Sequence, residues 1–396
     1  MSTPAYKKLT RSISFVAVLN RDLKLIFTSN MVGAFGDGLF AYLLPYYMKE
    51  TLKASPVEIG ILYALVSLAA ASTLLIAGTL ADKYDRKKIM IAGWIAWVPA
   101  PLIFAFAENW IQMLPGMILW GVWLGGPTGT AYIVTAADKN KLTLTFTVIS
   151  ASWSLGYIFS PALGGYMAGT VGMRPVFYAS LILYALAGII LVFISSQHAP
   201  TSGQEALRRE PSTKLLKTGN LAMISVFFAI VMFTLMMFRP LVPQFLADAH
   251  HFGDIEIGVL GSIAFLGSAV LGVFLGKIGD KWRKEYALAT SMILCSLSLA
   301  VMLLTGNFYV LAVAFLLAGS SYLGWSLMNA IIGPLAPEHI RARWISIPQT
   351  IGMFASVLAP YVGGILYNIS PTYPFIIAIF ACCIIAAVAC ARIFEK

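Results

Sequence analysis

Gly78-Thr79-Leu80-Ala81-Asp82-Lys83-Tyr84-Asp85-Arg86-Lys87-Lys88 closes one long apolar run and precedes another. A second copy, Gly276-Lys277-Ile278-Gly279-Asp280-Lys281-Trp282-Arg283-Lys284, starts 198 residues later in a chain of 396. One charged hairpin used twice, half a chain apart, indicates a protein built from two repeats. The same register recurs elsewhere. Val57-Glu58-Ile59-Gly60-Ile61-Leu62 answers to Ile255-Glu256-Ile257-Gly258-Val259-Leu260, and Leu44-Pro45 to Val242-Pro243. With the offset grown by one, Ser160-Pro161-Ala162-Leu163-Gly164-Gly165 answers to Ala359-Pro360-Tyr361-Val362-Gly363-Gly364.

Composition fixes the solvent. The chain is 59% hydrophobic and 11% charged, with a mean hydropathy of +0.83. A soluble domain carries about a quarter charged residues, so this chain cannot cover a water-facing surface. Apolar runs of about 20 residues cross a bilayer as helices with every backbone bond satisfied internally. Such runs lie near 25–48, 57–80, 89–107, 112–135, 144–167 and 174–195, then near 220–247, 256–279, 286–305, 308–333, 346–367 and 373–392. The reading is an all-α integral membrane protein of twelve transmembrane helices in two pseudo-symmetric six-helix bundles. The bundles are expected at 1–196 and 219–396, joined by a polar linker at 197–218.

Loop charge sets the orientation. Of the 27 lysines and arginines, all but Lys49, Lys53, Arg174 and Arg239 fall on the side that carries both termini. That side is expected to be the cytoplasm, and the address the cell membrane. The net charge of +10 is then an insertion signal, and nucleic acid is not an expected partner. No short apolar stretch with a small-residue cleavage site precedes the first span. The four cysteines sit in apolar runs without zinc-ligand spacing and read as small hydrophobes. The loop Asp248-Ala249-His250-His251-Phe252-Gly253-Asp254 has metal-ligating residue types but no fixed scaffold, so no metal and no other cofactor is expected.

Twelve helices in two repeats, with Gly78, Leu80, Asp82, Arg86 and Lys87 in the loop after span 2, resemble the major facilitator superfamily of transporters. The resemblance covers essentially the whole chain. Asp85 stands where the family signature has glycine, and aspartate tolerates the left-handed turn that glycine would supply. The resemblance implies a conformational gate made of Gly78, Asp82, Arg86 and Lys87, with Gly276 and Asp280 in the second copy. In it helix 11 would approach Gly78, and Asp82 would accept from Arg86 and a helix N-terminus. Span 5 also looks like part of the family's antiporter pattern, through Gly156, Pro161, Gly164 and Gly165. Pro360, Gly363 and Gly364 are its counterparts on span 11. These small residues suit close packing of two bundles that rock on each other. Many proton-driven exporters of the family carry an arginine in span 4; Gly121 stands near that place here.

A charge inside hydrocarbon is expensive and marks a pathway or a partner. Asp37, in Gly36-Asp37-Gly38, and Arg239, in Phe238-Arg239-Pro240, are such charges, on spans 1 and 7. The offset puts Arg239 one helical turn beyond Asp37. Both are expected to face a central cavity, where a proton and a cationic substrate would compete for Asp37. Glycine or proline breaks in spans 1, 4, 7 and 10 point to the same region. Around them Asn30, Tyr132, Trp325, Asn329 and Gln349 are further candidates for a mostly apolar organic ligand. The expected function is secondary transport by alternating access, as proton-coupled export of a small organic compound by a monomer. Uptake or facilitated diffusion of a metabolite, and a non-transporting receptor or scaffold, are the alternatives. No nucleophile–base pair or phosphate loop suggests an enzyme.

Overall fold

A computed structural model describes residues 19–138, 141–198, 221–335 and 341–391. The side-chain surroundings of residues 75, 78, 82, 143 and 341–343 lie outside that description. So does the expected linker beyond His198, and so do the gate contacts expected of Gly78 and Asp82.

Twelve spans are present. Span 1 runs as Arg21–Ala41 and Leu44–Glu50, span 2 as Pro56–Lys83, and span 3 as Arg86–Trp97 and Pro99–Phe106. Span 4 is Trp110–Gly121 and Gly125–Ala136, span 5 Leu142–Val171 and span 6 Met173–Val192. The second set begins with span 7, Leu221–Phe238, then a 3-10 turn Arg239–Leu241 and Val242–His250. Spans 8 and 9 are Asp254–Lys281 and Lys284–Leu304. Span 10 is Phe308–Ala318, a 3-10 turn Gly319–Leu323 and Gly324–Leu335, and spans 11 and 12 are Arg341–Ile369 and Tyr373–Cys390. Ten of these are long and apolar enough to cross a membrane. Spans 1 and 4, the exceptions, are the ones broken near Asp37.

Local chemistry starts the helices where the breakers stand. The Ser55 side chain caps span 2, and Glu58 reaches back to the Ser55 N–H at 2.7 Å. Its repeat counterpart Glu256 reaches back to the Gly253 N–H at 3.1 Å. Each contact satisfies a donor that a helix start leaves free. The repeat extends to backbone conformation. Lys53 and His251, 198 residues apart, are the two non-glycine residues with positive φ among the described residues, at 54° and 58°. Asp85 does not adopt the left-handed turn expected of it. It sits at φ −60° and caps span 3 by accepting from the Lys87 N–H.

Each bundle is assembled alike. Span 1 packs on spans 5 and 6, and span 7 on spans 11 and 12. The bundles then meet along two seams, span 2 against span 11 and span 5 against span 8. The seams are at the end away from the basic loops, called here the far end. Gly60 lies against Pro360 and Tyr361, and Gly258 against Pro161 and Gly165. A Cβ on Gly60 would sit 2.5 Å from the Pro360 carbonyl oxygen. The paired glycines divide the work. Gly164 and Gly363 lie on their own bundle, against Leu39 and Met237; Gly165 and Gly364 lie across the seam, against Asp254 and Pro56. Backbones approach this closely only where side chains are absent. At the basic end, by contrast, no described residue lies within 4 Å of where a Cβ on Gly276 would stand. Among the described residues, the glycine contacts between the halves lie at the far end, and the basic end at Gly276 stands open.

Candidate functional site

Asp37 is 4% exposed and lies wholly within the first bundle. Gly36 lets span 6 close in through Leu183 and Tyr184, and Gly38 lets span 5 close in through Tyr157 and Ser160. Three donors therefore converge on the carboxylate. Trp120 Nε1 donates to Oδ1 at 2.7 Å, the Tyr184 hydroxyl also donates to Oδ1, and the Tyr157 hydroxyl donates to Oδ2. Around this cage stands a shell of rings. Trp94 and Trp97 lie 5.6 and 5.7 Å from Tyr184, and Trp153 stacks on Tyr157. A carboxyl buried among aromatic faces is a setting in which a proton or an organic cation can bind.

Arg239 lies one helical turn beyond the equivalent place in the second bundle. Its Nη2 donates to the Ser321 carbonyl, and its guanidinium lies 4.7 Å from the centre of the Tyr322 ring. Its Nε is buried and has no acceptor among the described residues. No ion pair joins it to Asp37 among the described residues. The two are linked instead by rings. Tyr157 lies 4.7 Å from Phe265, which lies 4.7 Å from Tyr322.

The helix breaks explain both placements. Spans 1 and 7 break at matching positions, as do spans 4 and 10 at 122–124 and 319–323. Breaks free backbone groups that must find partners in a membrane. Trp97 Nε1 donates to the Val122 carbonyl at 2.6 Å, and the Trp123 N–H donates to Thr73 Oγ1 at 2.8 Å. In span 10, Ser291 Oγ takes the Ser320 carbonyl at 2.9 Å and Arg239 takes that of Ser321. Asp37 and Arg239 thus sit beside paired breaks, one in each half, with opposite charge.

Other expected residues fall elsewhere. Tyr132 is not at this level. Its hydroxyl lies 2.9 Å from Asp22 Oδ2 and 2.8 Å from the Ser195 carbonyl, at the basic end of the first bundle. Asn329 accepts from Gln349 Nε2 at 2.9 Å, and Trp325 meets Phe228 edge-on at 5.2 Å. Asn30 is half-buried on span 1, two turns before Asp37. A Cβ on Gly121 would already lie 2.6 Å from the Val66 carbonyl oxygen and 2.8 Å from Ala69 of span 2, which leaves no room there for an arginine.

The gate residues also divide. Arg86 is 6% exposed and binds span 4 and the segment after span 6. Its Nη1 donates to the Ala131 carbonyl at 3.0 Å, Thr135 Oγ1 at 2.8 Å and Gln197 Oε1 at 2.8 Å. The Gln197 N–H in turn donates to Asp85 at 3.1 Å. Burial works to raise the Asp85 carboxyl, but the bonds from the Gln197 N–H, the Ser196 side chain and the Lys87 N–H, with the nearby His198, outweigh it and hold it below the usual carboxylate range. Arg86 therefore clasps one bundle together. Lys87 is half-buried beside it, and Asp280 in the second copy is exposed.

The far end has a polar contact that sequence reasoning missed. Lys49 of span 1 pairs with Asp248 of span 7, and Tyr367 of span 11 donates to the same carboxylate at 2.6 Å. Asp248 belongs to the loop with metal-ligating residue types; His250 of that loop meets the Met302 carbonyl at 2.8 Å.

Residues 26–242 and 222–396 match the Major Facilitator Superfamily. The chain belongs to that superfamily. Among curated members it is 25% identical to "Multidrug resistance protein MdtG" of Proteus mirabilis over 83% of this chain and 84% of that one. It is 24% identical to "Quinolone resistance protein NorA" of Staphylococcus aureus, over 91% and 94%. It is 26% identical to "Multidrug resistance protein 2" of Bacillus subtilis, over 90% and 91%. The nucleoside transporter NupG superposes with a TM-score of 0.78 at 15% identity, covering 95% of this chain and 100% of that one. A bacterial homologue of ferroportin in an inward-facing state superposes with a TM-score of 0.70 at 13% identity, over 93% and 98%. These last two establish the fold alone. As a superfamily member, the chain is a multi-pass membrane transporter.

Within that superfamily frame, the cage residues Trp120, Tyr157 and Tyr184 escaped the sequence reading. A signal existed. Trp153 and Tyr157 are four residues apart, and Trp94 and Trp97 three, so each pair shares a helix face. Aromatic residues in apolar spans are common enough that spacing alone did not single them out.

Proposed function

We propose that this transporter exports amphipathic organic compounds carrying a cationic group, in exchange for protons, and that Asp37 is where proton and cation alternate. One observation carries this reading. Of 17 acidic residues, Asp37 is the one deep within a span, and three donors and an aromatic shell surround it. The cage suits the anionic form, in which each oxygen accepts. On protonation a tyrosine hydroxyl rotates to accept instead. A bound cation takes the proton's place and finds ring faces beside it. The names of the curated relatives favour export over uptake.

The basic side is proposed to be cytoplasmic, the membrane the cell's own, and the unit a monomer of two bundles joined at 197–218. The parted basic end then opens inward, the state that loads substrate from within. Proteoliposomes containing a pH dye test the whole reading. An inside-acid gradient and an added lipophilic cation should give substrate-triggered proton flux in wild type. Asp37→Asn should abolish it. Compound movement without proton flux, indifferent to Asp37, would reassign the protein as a uniporter.

A further inference from the structure

Arg239 is a cation within a membrane-spanning segment that no carboxylate neutralises among the described residues. A charge in that setting is costly unless something compensates it. The Tyr322 ring and the Ser321 carbonyl compensate part of it. The buried Nε–H remains unused. Beside the guanidinium is a cavity of about 30 Å³, lined among others by Tyr42, Cys295, Ser298, Phe315, Ser321 and Tyr322. A space of that size holds one or two waters, or the tip of a small anionic group, and no whole organic molecule. Tyr42 belongs to the first bundle, one and a half turns from Asp37, while the other lining residues named belong to the second. A group placed there touches both halves.

We infer that Arg239 and this cavity form a subsite for an anionic group, and that the group is a carboxylate of the exported compound. The inference rests on the export reading above and adds to it a substrate class: amphoteric compounds, with a cationic group at Asp37 and a carboxylate at Arg239. Three features converge. The guanidinium keeps one buried donor, Nε–H, with no acceptor among the described residues, beside the Nη2 already given to Ser321, and a carboxylate oxygen takes such a donor in a charge-assisted bond. The breaks in spans 7 and 10 place the subsite opposite the breaks in spans 1 and 4, and matched breaks mark transporter binding regions. The rings of Tyr157, Phe265 and Tyr322 run from one charge to the other and supply an apolar wall for the body of such a compound. A free inorganic anion shares this chemistry, so the test separates the two sources.

The experiment measures binding to the full-length protein in lipid nanodiscs by fluorescence polarisation. The probes are a zwitterionic rhodamine with a free carboxylate, its methyl ester, and fluorescein as the amine-free analogue. Each is titrated in chloride and in gluconate buffer. Wild type should bind the free acid at least about tenfold tighter than the ester, the worth of one charge-assisted hydrogen bond. Arg239→Gln should erase that preference and leave ester binding within about threefold, while Arg239→Lys keeps part of it. Equal binding of acid and ester by wild type overturns the inference and leaves export standing; this arm does not depend on any variant folding. A preference that appears in gluconate and vanishes in chloride assigns the cavity to a free anion and also overturns the carboxylate assignment. If wild type binds neither rhodamine nor ester, the export reading falls first, and the inference with it.

Discussion

At the scale of single residues, the molecule separates charges that the sequence alone would pair. Asp37 and Arg239 stand at nearly equal depth by the repeat offset, which suggests mutual neutralisation. Each is instead held by neutral groups of its own bundle, because glycines beside Asp37 admit Tyr157 and Tyr184, and a helix break gives Arg239 the Ser321 carbonyl. Asp85 is the informative residue at the basic end. Its carboxyl lies below its usual range because the Gln197 N–H, the Ser196 side chain and the Lys87 N–H bind the anion and outweigh burial. A depressed folded-state pKa adds stability that is complete above the unfolded value of about 4 and is lost as pH falls through the folded one. Asp85→Ala should therefore cost about 1 kcal/mol at neutral pH, as loss of an N-cap does. Thermal unfolding followed across pH should show the gap between variant and wild type closing below about pH 4. A gap that stays constant into acid would mean the carboxylate charge plays no part.

At the scale of elements, the far end is closed by two kinds of contact of unequal strength. Lys49 and Asp248 are partly exposed, with side chains 24% and 28% accessible. Such pairs contribute about 0.2–1 kcal/mol, so Lys49→Met should shift the balance between closed and open far ends by no more than about fivefold. The glycine seam allows no such slack. Gly60→Leu would drive a side chain into the backbone of Pro360 and Tyr361. Spin-label distances across the far end should lengthen outright in that variant and only broaden in Lys49→Met. The reverse ranking would mean that charge, rather than backbone contact, holds this end shut. The legible part of the site lay at this scale. Val57–Leu62 and its repeat copy were visible in sequence because the seam demands glycine at both Gly60 and Gly258. The Lys49–Asp248 pair was not, since its members occupy non-equivalent positions in the two repeats.

At the scale of the whole molecule, the twelve spans, their two bundles and the family were all legible, because hydrocarbon demands long apolar helices and the duplicated hairpin marks the halves. What could not be read was which of two arrangements the halves adopt. The hairpin glycines anticipate a closed basic end, yet Gly276 faces open space. Transport by alternating access requires that end to close in turn. Gly276→Leu should therefore leave binding from the basic side within about twofold and slow transport in proteoliposomes by tenfold or more, if steric contact there resembles that at the far end. Unimpaired transport would show that the second copy of the hairpin never meets the other half.

The cage around Asp37 also has an optical consequence. Five of the nine tryptophans, Trp94, Trp97, Trp120, Trp123 and Trp153, belong to the aromatic groups in and around it. One of them donates its indole N–H directly to the carboxylate. Loss of that anion changes the field on an emitting ring, and arrival of a dye beside it opens a path for energy transfer. The unlabelled protein should thus report occupancy of its own site in its ultraviolet emission.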